Sequence, residues 1–482
     1  MKSAETLNNV AADAISQPRS SEIITDINTD QLGFVVGMPS RNINTQNDCL
    51  DEFNKYYTTI VTGGKNLVIR ANLDPFGNAN IEFFNHKEFT DIHKDYNKIP
   101  VQIETTNGTA VKLFNPAKLW LESPESDSAK FGITFYPKLT KFYKGKLNTY
   151  MGLGCSPIDI DEKAEIDLQI YLNHVYNVIC DGNKEHGDYL IKWIAHAVQK
   201  PEEKPEVGVV LKAGQGTGKG TLLKPLSKIF GAHYLHATSP EQVIGKFNSQ
   251  LENKIMLFAD EFFAGSKGST DKLKAMITEK TGSIERKGID RISLPDYSRI
   301  IMATNHENVI SIERDERRYL YLEVSDRYKQ NREYFKPLHE TVDKPDFAGQ
   351  LLTYLINIDI TDFEPRHVPK TKALEEQKID NLDPLDKWLF EILSDGTFFG
   401  AGLMEVSVSR KDIQTIAQKW IDDHGLKVFG SLDRQLGKRL KLIGVDDARP
   451  YFEGKQVRTY IFPPLATIRA NFDNYMAFTT DW

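Results

Sequence analysis

Cysteine is scarce in this chain. The 482 residues include three, Cys49, Cys155 and Cys180, isolated, odd in number and without the spacing of metal ligands, so neither a disulfide framework nor a zinc site follows. Long hydrophobic runs are missing as well. No uninterrupted apolar stretch has the length needed to cross a bilayer, and Met1–Ser20 lacks the apolar core of a signal peptide. These gaps predict a cytosol-like compartment and no membrane partner. A basic surplus is also absent: 60 Lys and Arg stand against 67 Asp and Glu, a formal charge of −7. That excludes a protein coated in basic surface and confines any nucleic-acid contact to local patches. The remainder, 40% apolar and 26% charged, is ordinary for a soluble globular protein, and the length allows about three domains.

The stretch that organises the chain runs from Val207 to Phe230. A short apolar run, Val-Gly-Val-Val-Leu-Lys, meets Ala-Gly-Gln-Gly-Thr-Gly-Lys-Gly-Thr and gives way to apolar spacing of three and four, which predicts strand, loop and helix. That is the context of a phosphate-binding loop. Gly214, Gly216 and Gly218 let the backbone curl with its N–H groups inward, beside the positive end of the following helix. Gln215, Thr217 and Gly220 complete the cradle, and Lys219 supplies a cation for the terminal phosphates. The pattern departs from the usual one twice. Ala213 stands where the first glycine belongs, and Gly220 separates Lys219 from the hydroxyl of Thr221, which leaves open which hydroxyl meets Mg²⁺.

A nucleotide hydrolase also needs acids at the end of a neighbouring strand. Ile255-Met-Leu-Phe-Ala-Asp260-Glu261 supplies them, 41 residues after Lys219 (260 − 219), with an unbroken apolar run suited to a strand buried on both faces. Asp260 is the candidate metal ligand, with Thr221, and Glu261 the candidate water activator. A third strand, Arg299-Ile-Ile-Met-Ala-Thr304-Asn305, ends in an amide. Asn305 is either a sensor touching the water or the γ-phosphate at the carboxyl end of a parallel sheet, or a cap of the next turn. Beyond it, Arg317 and Arg318 are candidates for a guanidinium given in trans to the γ-phosphate, worth about 10³–10⁵ in rate, with structural ion pairing to Asp315 and Glu316 as the rival account. Between acids and amide, Leu273–Thr278 predicts a helix, and Gly282-Ser-Ile-Glu-Arg286-Lys287-Gly288 predicts a hairpin carrying two cations at its tip. In a ring such tips grip a phosphate backbone.

Around this core, residues 1–45 read as a flexible leader and 46–155 as a β-rich N-terminal domain of short strands. Within the latter, Lys65, Arg70 and Lys87 read more simply as a solvated face than as a nucleic-acid surface. Residues 156–205 read as a helical collar. The pair Asp159 and Asp161 reads as a charged linker rather than the carboxylates of a polymerase. Residues 206–380 form the nucleotide-binding core and 381–482 a C-terminal domain. In the latter, strand, helix (Arg410–His424), helix (Leu432–Ile443) and two strands around Gly454 give the order of a winged helix. Across 405–460, 11 Lys and Arg face 8 Asp and Glu, and Arg434, Lys438 and Arg439 lie on the second helix. There a recognition helix meets DNA, although such a module can equally dock a protein.

Gly214–Lys219, Phe247-Asn248, Asp260-Glu261, Leu273-Lys274, Arg286-Lys287-Gly288, Thr304-Asn305 and Asp315–Arg318, in this order, resemble the superfamily 3 helicases of phages, viruses and plasmids, particularly the helicase module of phage primase-helicases. Asn148, Gly152 and Trp193–Gln199 resemble the approach to that module. The resemblance implies an α/β fold with an AAA+ P-loop core. It implies a ring, six-membered in that family, that hydrolyses ATP with Mg²⁺ between subunits and moves 3′ to 5′ on single-stranded or forked DNA in the host cytoplasm. Lys219 would bind phosphate, Asp260 and Glu261 form the second motif, Asn305 act as sensor, Arg317 or Arg318 as finger, and Lys287 as channel contact. A polymerising domain usually precedes the module and none is evident in the sequence: either it belongs to a separate primase or polymerase, which is then an expected partner, or this chain is the helicase portion. Two rivals from other classes are an origin-binding scaffold whose ATP site controls assembly, and a nucleotide kinase.

Overall fold

The computed structural model describes residues 37–62, 64–73, 79–106, 108–246, 248–263, 267–285, 292–305, 316–398, 401–402, 407–452, 455–477, 480 and 482. At its centre lies a five-stranded, all-parallel sheet: β1 (Gly208–Lys212), β2 (Tyr234–Ala237), β3 (Met256–Ala259), β4 (Arg299–Thr304) and β5 (Tyr319–Glu323), in the spatial order β2-β3-β4-β1-β5. The strand alternation sets the layers. Val209, Leu211, Ile301 and Ala303 point into one core, whereas Val210, Ile300 and Met302 point into another, as side chains must with a period of two. Both faces are therefore apolar, which accounts for the unbroken hydrophobic runs.

The larger core packs the sheet against α1 (Glu162–His174), α2 (Lys184–Gln199), α3 (Lys219–Phe230), α5 (Arg332–Asp343) and α6 (Phe347–Asn357). The opposite face is covered by α4 (Lys267–Thr278) through Leu273 and Ile277, and by α7 (Lys372–Asp380) through Ala373 and Leu374. Asp161 caps α1, accepting from Ala164 N at 2.8 Å, whereas Asp159 is exposed. At its far end α1 widens into one π-helical turn, Val175–Ile179.

Among the described residues the N-terminal unit has nine strands, with three helices among them. A four-stranded sheet (Ala79–Phe84, Lys65–Leu73, Tyr57–Thr62, Ser128–Ala129) is joined by three helices, Gln46–Tyr56, His86–Ile92 and Pro116–Glu122. These surround a core of Phe53, Tyr57, Phe89 and Trp120. The helices are capped by Thr45, Asn85 and Asn115, signals hidden among many other polar residues. Part of the expected leader is packed: Ile43 is buried, and Tyr96 donates its hydroxyl to Pro39 O at 3.0 Å. Arg70 pairs with Glu82 at 2.8 Å. Among the described residues no helix is long and apolar enough to cross a membrane.

The C-terminal unit has its own core, running from Leu385 to Met476. Helix α8 (Pro384–Asp395), strand Ser407–Ser409, α9 (Arg410–Asp423), α10 (Leu432–Leu442), strand Asp446–Ala448, the hairpin strands Tyr451–Phe452 and Lys455–Gln456, and strand Thr459–Ile461 follow in that order. Thr459–Ile461 lies antiparallel between Ser407–Ser409 and Asp446–Ala448.

Candidate nucleotide-binding site

The carboxyl ends of β1, β3 and β4 lie side by side. Lys212 is in register with Thr304, and Ala259 with Met302. Ala213 donates its N–H to Thr304 O at 2.8 Å and Phe262 to Ala303 O at 2.9 Å. The glycine-rich loop, the Asp260-Glu261 pair and Asn305 thus leave one edge of one sheet.

The loop closes down to bare backbone. Gly216 and Gly218 have φ of 77° and 94°, in the region that favours glycine. A Cβ at Gly214 would lie 2.8 Å from Lys329 Nζ, at Gly216 2.9 Å from Gln330 Cγ, and at Gly218 2.5 Å from His174 Cε1. Helix α3 begins at Lys219, whose Nζ donates to Ala213 O at 3.2 Å. Thr217 is buried and donates to Gly214 O at 3.1 Å, while Gln215 is exposed. Gly220 is exposed, and a Cβ there would have nothing within 4 Å. Thr221 is buried against α5, its hydroxyl 3.2 Å from His339 Nε2.

The acids are presented by a tight bend. Asp260 N donates to Ala237 O at 2.9 Å, Glu261 adopts φ 50°, and Phe262 is fully buried. The left-handed conformation costs a non-glycine residue about 1–2 kcal/mol; anchoring on both sides holds it, and the Glu261 side chain is turned outward. Asn305 is exposed just beyond β4.

Helix α5 was not among the sequence candidates. Together with the loop it lines an open groove of about 1290 Å³, into which Arg332, Lys336 and His339 contribute from one exposed face. His174, the last residue of α1, locks the loop to this helix. Its Nε2 lies 3.1 Å from the carbonyl oxygen of Gly218 and its Nδ1 3.1 Å from the Tyr334 hydroxyl. Since a carbonyl only accepts, Nε2 carries the proton and Nδ1 accepts from Tyr334. Burial pushes the His174 pKa down to about 4, with the Gly218 bond acting against the shift. The spacing of 332, 336 and 339 on one helix face was the available signal for α5. For His174 the sequence carried none, because its partners lie 44 and 160 residues away.

The arginine pair lies at the opposite edge. Gly208 N donates to Arg318 O at 2.8 Å, at the start of β1 and β5. The five residues of β1 then separate it from the loop by about 16 Å. Glu316 is buried between the two arginines and α4. Its Oε1 accepts from Arg317 N (3.1 Å), Arg318 N (2.9 Å) and Arg318 Nη1 (3.2 Å), with Lys274 Nζ 3.7 Å from Oε2. Arg318 is thereby tied within its own chain, whereas Arg317 is exposed and, among the described residues, has no side-chain partner.

The expected hairpin is present in its two strands, Thr281–Ile284 and Ile292–Pro295. Arg286 and Lys287 lie outside the described residues. Asn248 ties the hairpin's root, donating to Ser283 O and accepting from Glu285 N, both at 2.9 Å. On α10, Arg434 and Lys438 are exposed. Arg439 is instead turned inward, where its Nε donates to Asp386 at 2.9 Å and a second nitrogen to Asp383. With Nη1 donating to Gln435 as well, the guanidinium is held within the domain, which removes Arg439 from the cations available to DNA.

Residues 211–318 match a family of unknown function, DUF5906. The chain is similar to a phage replication protein. Over 175 residues it is 27% identical to the DNA primase-polymerase of Nitratiruptor phage NrS-1, covering 36% of this chain but only 24% of that relative's length. Its fold is that of the same protein's C-terminal region. One apo structure superimposes with a TM-score of 0.55 at 16% identity, over 82% of this chain and 96% of the other. Another gives 0.53 at 18%, over 75% and 94%.

Proposed function

We propose that this chain is an ATP- and Mg²⁺-dependent DNA translocase of phage replication, a ring-forming helicase of the superfamily 3 kind. The observation that carries the reading is the alignment of three strand ends, which brings phosphate loop, acids and amide to one edge. The strand order, with the loop after β1, acids after β3, amide after β4 and arginines before β5, supports an AAA+ core. The succession of three helices with an antiparallel sheet and hairpin in residues 384–461 supports a winged-helix domain. Similarity to a phage primase-polymerase supports a place in DNA replication.

The loop fits a polyphosphate, because Gly214, Gly216 and Gly218 leave no room for side chains and Lys219 is held by a single carbonyl that an anion can replace. Lys219 would bind the terminal phosphates, and Asp260 with a loop hydroxyl would hold Mg²⁺. The ion, when bound, neutralises charge on the phosphates. Glu261 would take the proton of the attacking water, and Asn305 would orient that water. Arg317, remote from its own loop, would complete the site of a neighbouring subunit, and the hairpin after α4 would move the strand.

The test measures ATPase activity and forked-duplex unwinding with particle mass, with and without ATP. Single-stranded DNA should stimulate turnover, and Lys219→Ala or Glu261→Gln should abolish both activities. Unwinding by either variant overturns the reading. ATP-dependent assembly without turnover would favour a scaffold, and phosphoryl transfer to a nucleotide would favour a kinase.

A further inference from the structure

Helix α10 turns one face entirely outward. Arg434, Lys438 and Lys441 recur there at i, i+4 and i+7, all exposed and, among the described residues, without ion-pair partners. Leu436, Leu440 and Ile443 bury the other face. The nearby acids are engaged: Asp433 by Arg410, and Asp383 and Asp386 by Arg439. A cationic strip cleared of counter-charges suits a polyanion.

Two large aromatic side chains stand on the segments that adjoin this helix and are largely exposed. Phe429 is 87% exposed and Tyr451 75%. Phe429 lies three residues before α10, its carbonyl bound by the Gln435 side chain within the helix. Tyr451 opens the hairpin that leaves strand Asp446–Ala448. Arg410 spans the gap between these elements, bonded to Asp433 in the first turn of α10 and 3.8 Å from Asp447 on the strand. The first turn of α10 and the root of the hairpin are therefore neighbours. Exposed rings of this kind offer flat apolar faces on which another flat group can stack. A paired duplex offers few exposed base faces, whereas unpaired bases stack on such rings.

We propose that this surface binds a junction between double- and single-stranded DNA, with Arg434, Lys438 and Lys441 on the duplex phosphates and Phe429 and Tyr451 stacked on the first unpaired bases. The inference adds to the translocase reading a form of DNA recognised without ATP. It stands or falls separately, since binding is measured in the absence of nucleotide.

Full-length protein is titrated without ATP against a forked duplex, a blunt duplex and a single strand of equal length. Phe429→Ala combined with Tyr451→Ala should weaken fork binding at least about fivefold, the loss of one stacked base. Blunt-duplex binding should stay within twofold and single-strand-stimulated ATPase should be unchanged. Phe429→Trp with Tyr451→Phe should restore the fork preference. Lys438→Ala should weaken fork and blunt duplex alike and lower the salt slope by about one. Fork affinity within twofold of wild type in the double alanine variant overturns the proposal. So does a change in particle mass with DNA binding intact, which would make the surface a protein interface.

Discussion

Lys219 Nζ rests 3.2 Å from the carbonyl oxygen of Ala213, closing the loop on itself. Ala213 is in turn bound through its N–H to Thr304 at the end of β4, so the lysine is parked on the residue that joins loop to sheet. A half-exposed hydrogen bond of this kind contributes about 0.5–1.5 kcal/mol. Lys219→Ala should therefore leave the urea midpoint almost unchanged while abolishing nucleotide binding, read by a fluorescent ATP analogue. A large loss of stability with retained binding would contradict the role of this lysine.

The glycines on either side of Lys219 should behave in opposite ways. Gly218→Ala places a methyl group 2.5 Å from His174 in a backbone conformation of φ 94°, and should cost about 2 kcal/mol or more, with loss of nucleotide binding. Gly220→Ser meets open space and restores a hydroxyl directly after the lysine. It should fold as the wild type does and lower the Mg²⁺ concentration needed for half-maximal ATPase. A parallel loss in both variants would mean that position 220 needs glycine for reasons other than space.

The sheet was legible in the sequence because strands buried on both faces write uninterrupted apolar runs, and their ends coincide with the charged or amide residues that leave the sheet. The loop declared itself through its glycines. What stayed hidden depends on pairing across the fold. The inward turn of Arg439 is decided by Asp383 and Asp386, more than 50 residues earlier. His174 reads as one more polar residue at the end of an amphipathic helix until α3 and α5 close around it. The short N-terminal helices contribute a few buried side chains each and so write little periodicity.

Three buried histidines predict acid sensitivity. Burial is the leading cause that lowers the pKa values of His174, His196 and His233 to about 4 each, and positive neighbours, Arg299 beside His196 and Lys254 near His233, add to it. In the unfolded chain they return to about 6.5. Folded values below unfolded ones mean that the unfolded state binds the extra protons, so the stability is complete above pH 6.5 and drains as pH falls toward 4. Each histidine loses at most about 1.4 kcal/mol per pH unit. Urea midpoints at pH 7.5, 6 and 5 should fall steadily, and His174→Gln should flatten the slope. An unchanged slope in that variant would remove His174 from this account.

Glu316 divides the labour of the two arginines. It holds Arg318 within the chain and leaves Arg317 exposed, while Lys274 joins the same carboxylate to the helix that leads into the hairpin. Arg318→Ala should accordingly destabilise the fold about 1–3 kcal/mol by leaving a buried carboxylate short of partners, whereas Arg317→Ala should leave stability intact and lower kcat about 10³-fold or more with little change in KM. Because the loop and Arg317 lie at opposite edges of the sheet, the two defects should complement one another. Mixing inactive Lys219→Ala and Arg317→Ala subunits should create interfaces with an intact loop on one side and an intact arginine on the other, and ATPase should return at a fraction set by the mixing ratio. Mixtures that stay inactive in particles shown by mass to contain both subunits would mean that Arg317 does not act across the interface.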